Sequence, residues 1–185
     1  MNLMKTLFAS AAIAVTAGAA SASVIFATEV IDVNRGDIHE VVDGRDDVNT
    51  ALGKADNVFY SMGVGGDITL GFGALATGDV SVWEVTFGEI SEHVEIVDVY
   101  AIFEGTETKV GSVSNDVSQK GFALTFSGVF DALKLVDVSP LDGGTKDGFD
   151  LDAVSVQKVP VPASALLLLG GIAGLGALRR KAKKA

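Results

Sequence analysis

Between residues 23 and 158 no stretch keeps apolar residues at i, i+3 and i+4 for more than two helical turns, so long amphipathic helices are excluded from the body of the chain. Short runs rich in β-branched and aromatic residues take their place, punctuated by Gly, Asp and Asn, as pleated half-buried strands joined by turns require. Strands are expected at VIFATEVIDV (24–33), IHEVV (38–42), DITLGFG (67–73), DVSVWEVTF (79–87), VEIVDVYAIF (94–103), 109–113, FALTFSG (122–128), LKLVDVS (133–139) and FDLDAVSVQ (149–157). Ile68, Leu70 and Phe72 alternate with Asp67, Thr69 and Gly71, and Phe122, Leu124 and Phe126 repeat the pattern. The run 94–103 is almost continuously apolar, so it is expected to lie centrally between two layers. Nine or so short strands at spacings near ten residues predict an all-β fold, an antiparallel β-sandwich or jelly roll, in which each strand hides one apolar face against a second sheet. One helical turn is expected around residues 49–52.

The two ends read differently from the body. MNLMKTLFASAAIAVTAGAASAS combines a cation at Lys5, an apolar stretch over 7–17 and a small-x-small pattern at Ala20-Ser21-Ala22. This predicts a signal helix cut by signal peptidase after Ala22, since the apolar stretch is shorter than the ~20 residues of a membrane span. At the other end Val159-Pro160-Val161-Pro162-Ala163 cannot continue a strand, because the prolines lack donors and fix an extended backbone. Residues 163–178 carry no charge, and about 24 Å of helix becomes long enough to cross a ~30 Å hydrocarbon core when the count starts at Val159. Arg179, Arg180, Lys181, Lys183 and Lys184 then form a stop that stays cytoplasmic. The expected organisation is a signal peptide over 1–22, an exported β-sandwich over 23–158 and a C-terminal sorting and transmembrane segment over 159–185.

All 24 acidic residues but only eight of the 14 cations fall within 23–158, so the exported body carries a formal charge of −16. Such a body repels nucleic acid and anionic lipid, and it suits solubility or cation binding. Cysteine is absent, which excludes thiol nucleophiles, zinc–thiolate sites and haem attachment, and leaves core burial or a bound ion to stabilise the domain.

Two acidic loops are candidates for chemistry. DGRDDVNTALGKADN holds Asp43, Asp46, Asp47, Asn49, Asp56 and Asn57, and DGGTKDGFDLDAV holds Asp142, Asp147, Asp150 and Asp152. Calcium wants six to eight oxygens, so a loop ion on Asp43, Asp46, Asp47, Asn49, Asp150 and Asp152 is one reading. The EF-hand spacing is not met, and turn formation by Asp and Asn is the other reading. Asp150 and Asp152 alternate with Phe149, Leu151 and Ala153, which predicts that both acids face solvent or a shallow site. A small hydrolase would need two such acids held across a cleft. His39 and His93 lie on expected strands among acids, as surface residues do. Trp83 is expected in the core, exposure being the sign of a sugar-stacking residue. No G-x-S-x-G, P-loop or dinucleotide glycine pattern occurs, and SMGVGGD reads as a tight turn.

VPVPASALLLLGGIAGLGALRRKAKKA resembles the VPLPA-CTERM signal, a variant of the PEP-CTERM family of exported bacterial proteins. Val159, Pro160, Pro162 and Ala163 match its motif, Val161 replaces the usual leucine, and the Leu/Gly-rich helix and Arg179-Arg180-Lys181 match its other elements. The resemblance implies an exosortase-type processing protease as partner and a precursor anchored in the inner membrane of a Gram-negative bacterium before release to the cell surface or beyond. ALGKADNVFYSMGVGGDITLGFG, DVSVWEV and DGFDLDAVSV look like stretches of bacterial cell-surface jelly-roll domains of galactose-binding-like architecture, with Lys54 where small residues are usual. That resemblance implies a structural calcium in many members. The expectation is a non-enzymatic cell-surface or matrix-associated module that binds extracellular polysaccharide with a loop calcium. A small exported hydrolase and a purely structural matrix protein are the alternatives.

Overall fold

The computed structural model describes residues 22–38, 44–86, 89–90, 93–116, 121–140 and 147–160. The expected signal helix, the transmembrane segment, and Ala20, Val161, Pro162, Ala163, Arg179, Arg180 and Lys181 lie outside these residues, as do Asp43, Asp142 and His39. Among the described residues no helix is long and apolar enough to cross a membrane. Residues 22–159 form one compact unit.

That unit is all-β, with β1 Val24–Phe26, β2 Glu29–Asn34, β3 Tyr60–Ser61, β4 Asp67–Glu84, β5 Ile96–Phe103, β6 Thr106–Ser114, β7 Phe122–Asp137 and β8 Asp150–Lys158. A 3₁₀ turn over Val48–Ala51 meets the one helical expectation. Every pairing is antiparallel. The main order is β1-β8-β4-β7-β5-β6, with β2 added to β4 and β3 to β8.

Two pairs of expected strands prove continuous. DITLGFG and DVSVWEVTF, the latter as far as Glu84, fall on β4, and FALTFSG and LKLVDVS, the latter as far as Asp137, fall on β7. The glycines read as strand ends instead bend the chain: Gly73 and Gly78 have φ of +64° and +74°, and the β4–β7 register shifts between Gly71 and Gly78. Beyond this bend β4 changes neighbours. Its first part pairs with β2, from Glu29↔Gly71 to Asn34↔Asp67, and its second with β8, from Ala76↔Lys158 to Glu84↔Leu151. The first part of β4 thus belongs with β2, β5, β6 and the end of β7, and the second with β1, β3, β8 and the start of β7. One core joins the two, holding Ile68 and Leu70 from the first and Val80, Val82, Val154 and Val156 from the second, as in a β-sandwich.

The expected strand 24–33 is likewise two strands. Ala27 N–H bonds to Val154 of β8 and Thr28 N–H to Gly71 of β4, so the chain changes partner there. The central two-faced strand is β8 rather than β5. In β5 Val97, Val99 and Ala101 are buried while Asp98, Tyr100 and Ile102 are half-buried, whereas every residue from Asp150 to Val156 is buried. β8 is flanked by β4 on one edge and by β1 and β3 on the other.

At the end of the unit where β4 begins, three segments cross at van der Waals limits. A Cβ on Gly63 would stand 2.6 Å from the backbone of Gly36, and one on Gly148 2.5 Å from that of Gly63. Asp137, 2% exposed, ties this crossing together: it accepts the N–H groups of Gly65, Ser139 and Phe149 and the Ser139 hydroxyl. SMGVGGD is therefore the tight turn its glycines announce.

Candidate functional site

The expected ligands of the acidic loops go to different tasks. Asp47 caps the 3₁₀ turn, accepting the backbone N–H of Asn49 at 3.0 Å and its side-chain amide at 2.8 Å. These two bonds hold its carboxyl below the usual range. Asp46 is exposed. Asp150 and Asp152 do not face solvent, as their alternation predicted; each is 3% exposed. Segment 44–62 covers them, because Asp152 accepts the N–H groups of Asp56 and Asn57 at 3.0 and 3.1 Å, and Asp150 accepts the Ser61 hydroxyl. Arg45 lies 2.7 Å from Asp147 and 3.8 Å from Asp150, with its guanidinium over the Phe59 ring. Burial pushes the Asp150 carboxyl up to about 8 against the Ser61 hydrogen bond, with the charge of Asp147 adding to the rise and Arg45 opposing it. Among the described residues no group of three or more carboxylate or imidazole side chains is placed to share a metal, and Asp43 of the expected set lies outside those residues.

A second buried acidic group lies beside them and gave no signal in the sequence. Glu84 and Glu95 are 3% and 5% exposed and hydrogen-bonded to each other. Thr86 donates to Glu84, and Asn115 donates to Thr86 and to the His93 carbonyl. Burial pushes Glu84 up to about 7, with the hydrogen bonds from Thr86 and Glu95 acting the other way. His93 precedes β5 rather than lying on it.

The opposite end of the sandwich carries two open concave surfaces. The register Gly71↔Ala132↔Ile102, together with Ala76↔Lys158, places the β4 bend, the middle of β7, the β5–β6 turn and the end of β8 together. A cleft of about 330 Å³ opens between the β5–β6 turn and β7. Phe103, Phe126 and Val129 supply its apolar surface and Thr106, Thr108 and Glu104 its polar groups. Glu104 and Gly105 adopt φ of +49° and +76°, the two-residue hairpin that turns Phe103 and Thr106 back to back in register. Phe103 is 38% exposed and Val129 41%. A second cleft of about 500 Å³ lies beside it, between β2 and the β4 bend. Its floor is the small residues Gly73, Ala74 and Ala132, its apolar walls are Ile31 and Leu75, and its carboxylates are Glu29 and Asp131. Apart from Phe126, read as part of a strand's apolar face, none of these residues stood out in the sequence. The two-residue Glu-Gly step between β-rich runs, with a Phe at its shoulder, is the one local signal that marks them. Trp83 is half-buried rather than in the core, tilted against Phe26 at 5.8 Å with Gly121 over its ring.

No protein-family model matches the chain, and no curated protein matches it. Solved structures do. The family 32 carbohydrate-binding module of Streptococcus pneumoniae EndoD aligns over 71% of this chain and 95% of its own with a TM-score of 0.52 at 12% identity. The fold is similar to that of a family 32 carbohydrate-binding module. The C-terminal domain of a chitobiase from Bacteroides fragilis aligns over 72% of this chain and 94% of its own (TM-score 0.48, 11% identity). Reduced XRCC1, solved with the DNA polymerase β catalytic domain, aligns over 75% of this chain and 100% of its own (TM-score 0.49, 13% identity). At such identity the likeness establishes the jelly-roll architecture, and the ligand has to be argued from the site.

Proposed function

We propose that the body is a non-catalytic module that binds extracellular polysaccharide at the end bearing the two clefts. The observation that carries this reading is that exposed apolar side chains there line concave surfaces together with polar groups. Phe103, Val129, Leu75 and Ile31 all line the two clefts, interleaved with hydroxyls and carboxylates. A pyranose ring has the same two-sided chemistry, an apolar face to lay on Phe103 and hydroxyls for Thr106, Thr108 and Glu104. The family 32 module supports the reading as a carbohydrate-binding protein of similar fold.

The test is an oligosaccharide array probed with the purified chain and with Phe103→Ala. Phe103 is partly exposed, so its truncation should spare the fold while weakening binding about tenfold, the worth of one aromatic stacking contact. A blank array, or binding indifferent to Phe103, overturns the reading. Export, processing at the Val159-Pro160-Val161-Pro162-Ala163 motif and release to the surface belong to the same proposal. The double change Pro160→Ala with Pro162→Ala is expected to hold the protein in the membrane fraction, and unchanged release would refute the sorting role.

A further inference from the structure

The cleft between β2 and the β4 bend has a charge character that hydroxyl recognition does not use. Two carboxylates, Glu29 and Asp131, line it, and among the described residues no cation does. Among the described residues neither acid takes part in a salt bridge. The Glu29 side chain is pressed onto the sheet over Gly71, where a Cβ would stand 2.5 Å from its Oε1, so the missing side chain of Gly71 makes room for the acid beside the cleft. Around the acids stand Ile31, 56% exposed, and Leu75, 46% exposed.

We propose that this cleft takes a sugar unit carrying a free amine, so that the preferred glycan is an amine-bearing, partly N-deacetylated hexosamine polymer. Each alternative leaves part of the cleft unused or opposed. A small inorganic cation would leave Ile31 and Leu75 in water. A neutral sugar would give the two carboxylates hydroxyl hydrogen bonds but leave both charges without a counter-charge. A uronic acid would be repelled by both acids and by a body of formal charge −16. A protonated amino sugar lays its ring on the apolar walls and its ammonium between the acids. The two clefts are also placed for one chain. Val129 borders the first and Asp131 the second, two residues apart on β7, about 7 Å at the rise of a strand. The inference rests on the glycan-binding reading above and adds the charge of the unit that is read.

Calorimetric titration of the full chain with glucosamine, N-acetylglucosamine and uronate oligosaccharides of equal length, in mildly acidic low-salt buffer, tests it. Glucosamine oligomers are expected to bind about tenfold tighter than acetylated ones, a preference that shrinks with added salt. The double variant Glu29→Gln with Asp131→Asn should abolish that preference and leave acetylated oligomers within about twofold of wild type. Equal affinities, or a preference that survives in the double variant, overturn the amine reading, while Phe103-dependent binding still upholds the glycan site. Binding of no oligosaccharide defeats both readings. An oligolysine of equal charge that binds as tightly as the glucosamine oligomer also overturns the proposal, since the cleft would then be reading a cationic peptide.

Discussion

Glu84 offers the sharpest test of how the buried acids bear on stability. It stands at the end of β4 with Thr86, Glu95 and Asp150 around it, and burial raises its carboxyl from an ordinary 4.5 to about 7. In the unfolded chain the same group ionises near its ordinary value. Between pH 4.5 and 7 the folded protein therefore holds a proton that the unfolded chain has released, and stability falls as pH rises through that window. At 1.36 kcal/mol per unit the loss from this residue approaches roughly 3 kcal/mol by pH 8. For a domain of this size that corresponds to a melting temperature lower by about 10 °C. Glu84→Gln keeps the shape and hydrogen-bonding of the protonated acid and cannot ionise. The variant should match wild type at pH 5 and exceed it by up to about 3 kcal/mol at pH 8, read by urea denaturation at both values. A variant destabilised equally at the two pH values, or a wild type with no fall in stability between them, would refute the reasoning.

Three further outcomes follow from the packing and hydrogen bonding. Asp137→Ala removes the acceptor of four hydrogen bonds at a 2%-exposed site and should lower unfolding free energy by about 4 kcal/mol in urea. Gly63→Ala places a Cβ at φ +77°, 2.6 Å from the Gly36 backbone, and should cost several kcal/mol or abolish soluble expression. Because Asp152 accepts protein donors on both oxygens and Asp47 and Asp150 on one each, millimolar calcium is expected to move the melting temperature by less than about 2 °C relative to chelator. A rise of several degrees would place an ion on this chain after all.

The sequence carried the fold class clearly and the site poorly, for physical reasons visible in particular residues. Ile68, Leu70 and Phe72 are buried in the core as their alternation demands, while Thr69 and Gly71 between them are buried as well. Glycine was ambiguous: Gly73, read as a strand end, bends a strand whose pairing continues beyond it, and only the register with β7 distinguishes these cases. Asp150 and Asp152 misled in the other direction. A carboxylate on one side of a strand looks solvated unless one knows that Ser61, Asp56 and Asn57, ninety or so positions away in the chain, come to cover it. The clefts were illegible because Glu29, Leu75, Phe103 and Asp131 sit on four different strands and share no spacing.

The bend in β4 has a consequence for how the domain comes apart. Since β4 and β7 each run through both sheets, neither sheet owns a complete set of strands. Pulling on one layer must unzip the other. The protein should therefore lose its structure in a single all-or-none step, with no half-sandwich surviving as a fragment. Pairs such as Asp67↔Val136 must also form across wide stretches of chain, so the domain should assemble slowly and only when nearly all of it is present.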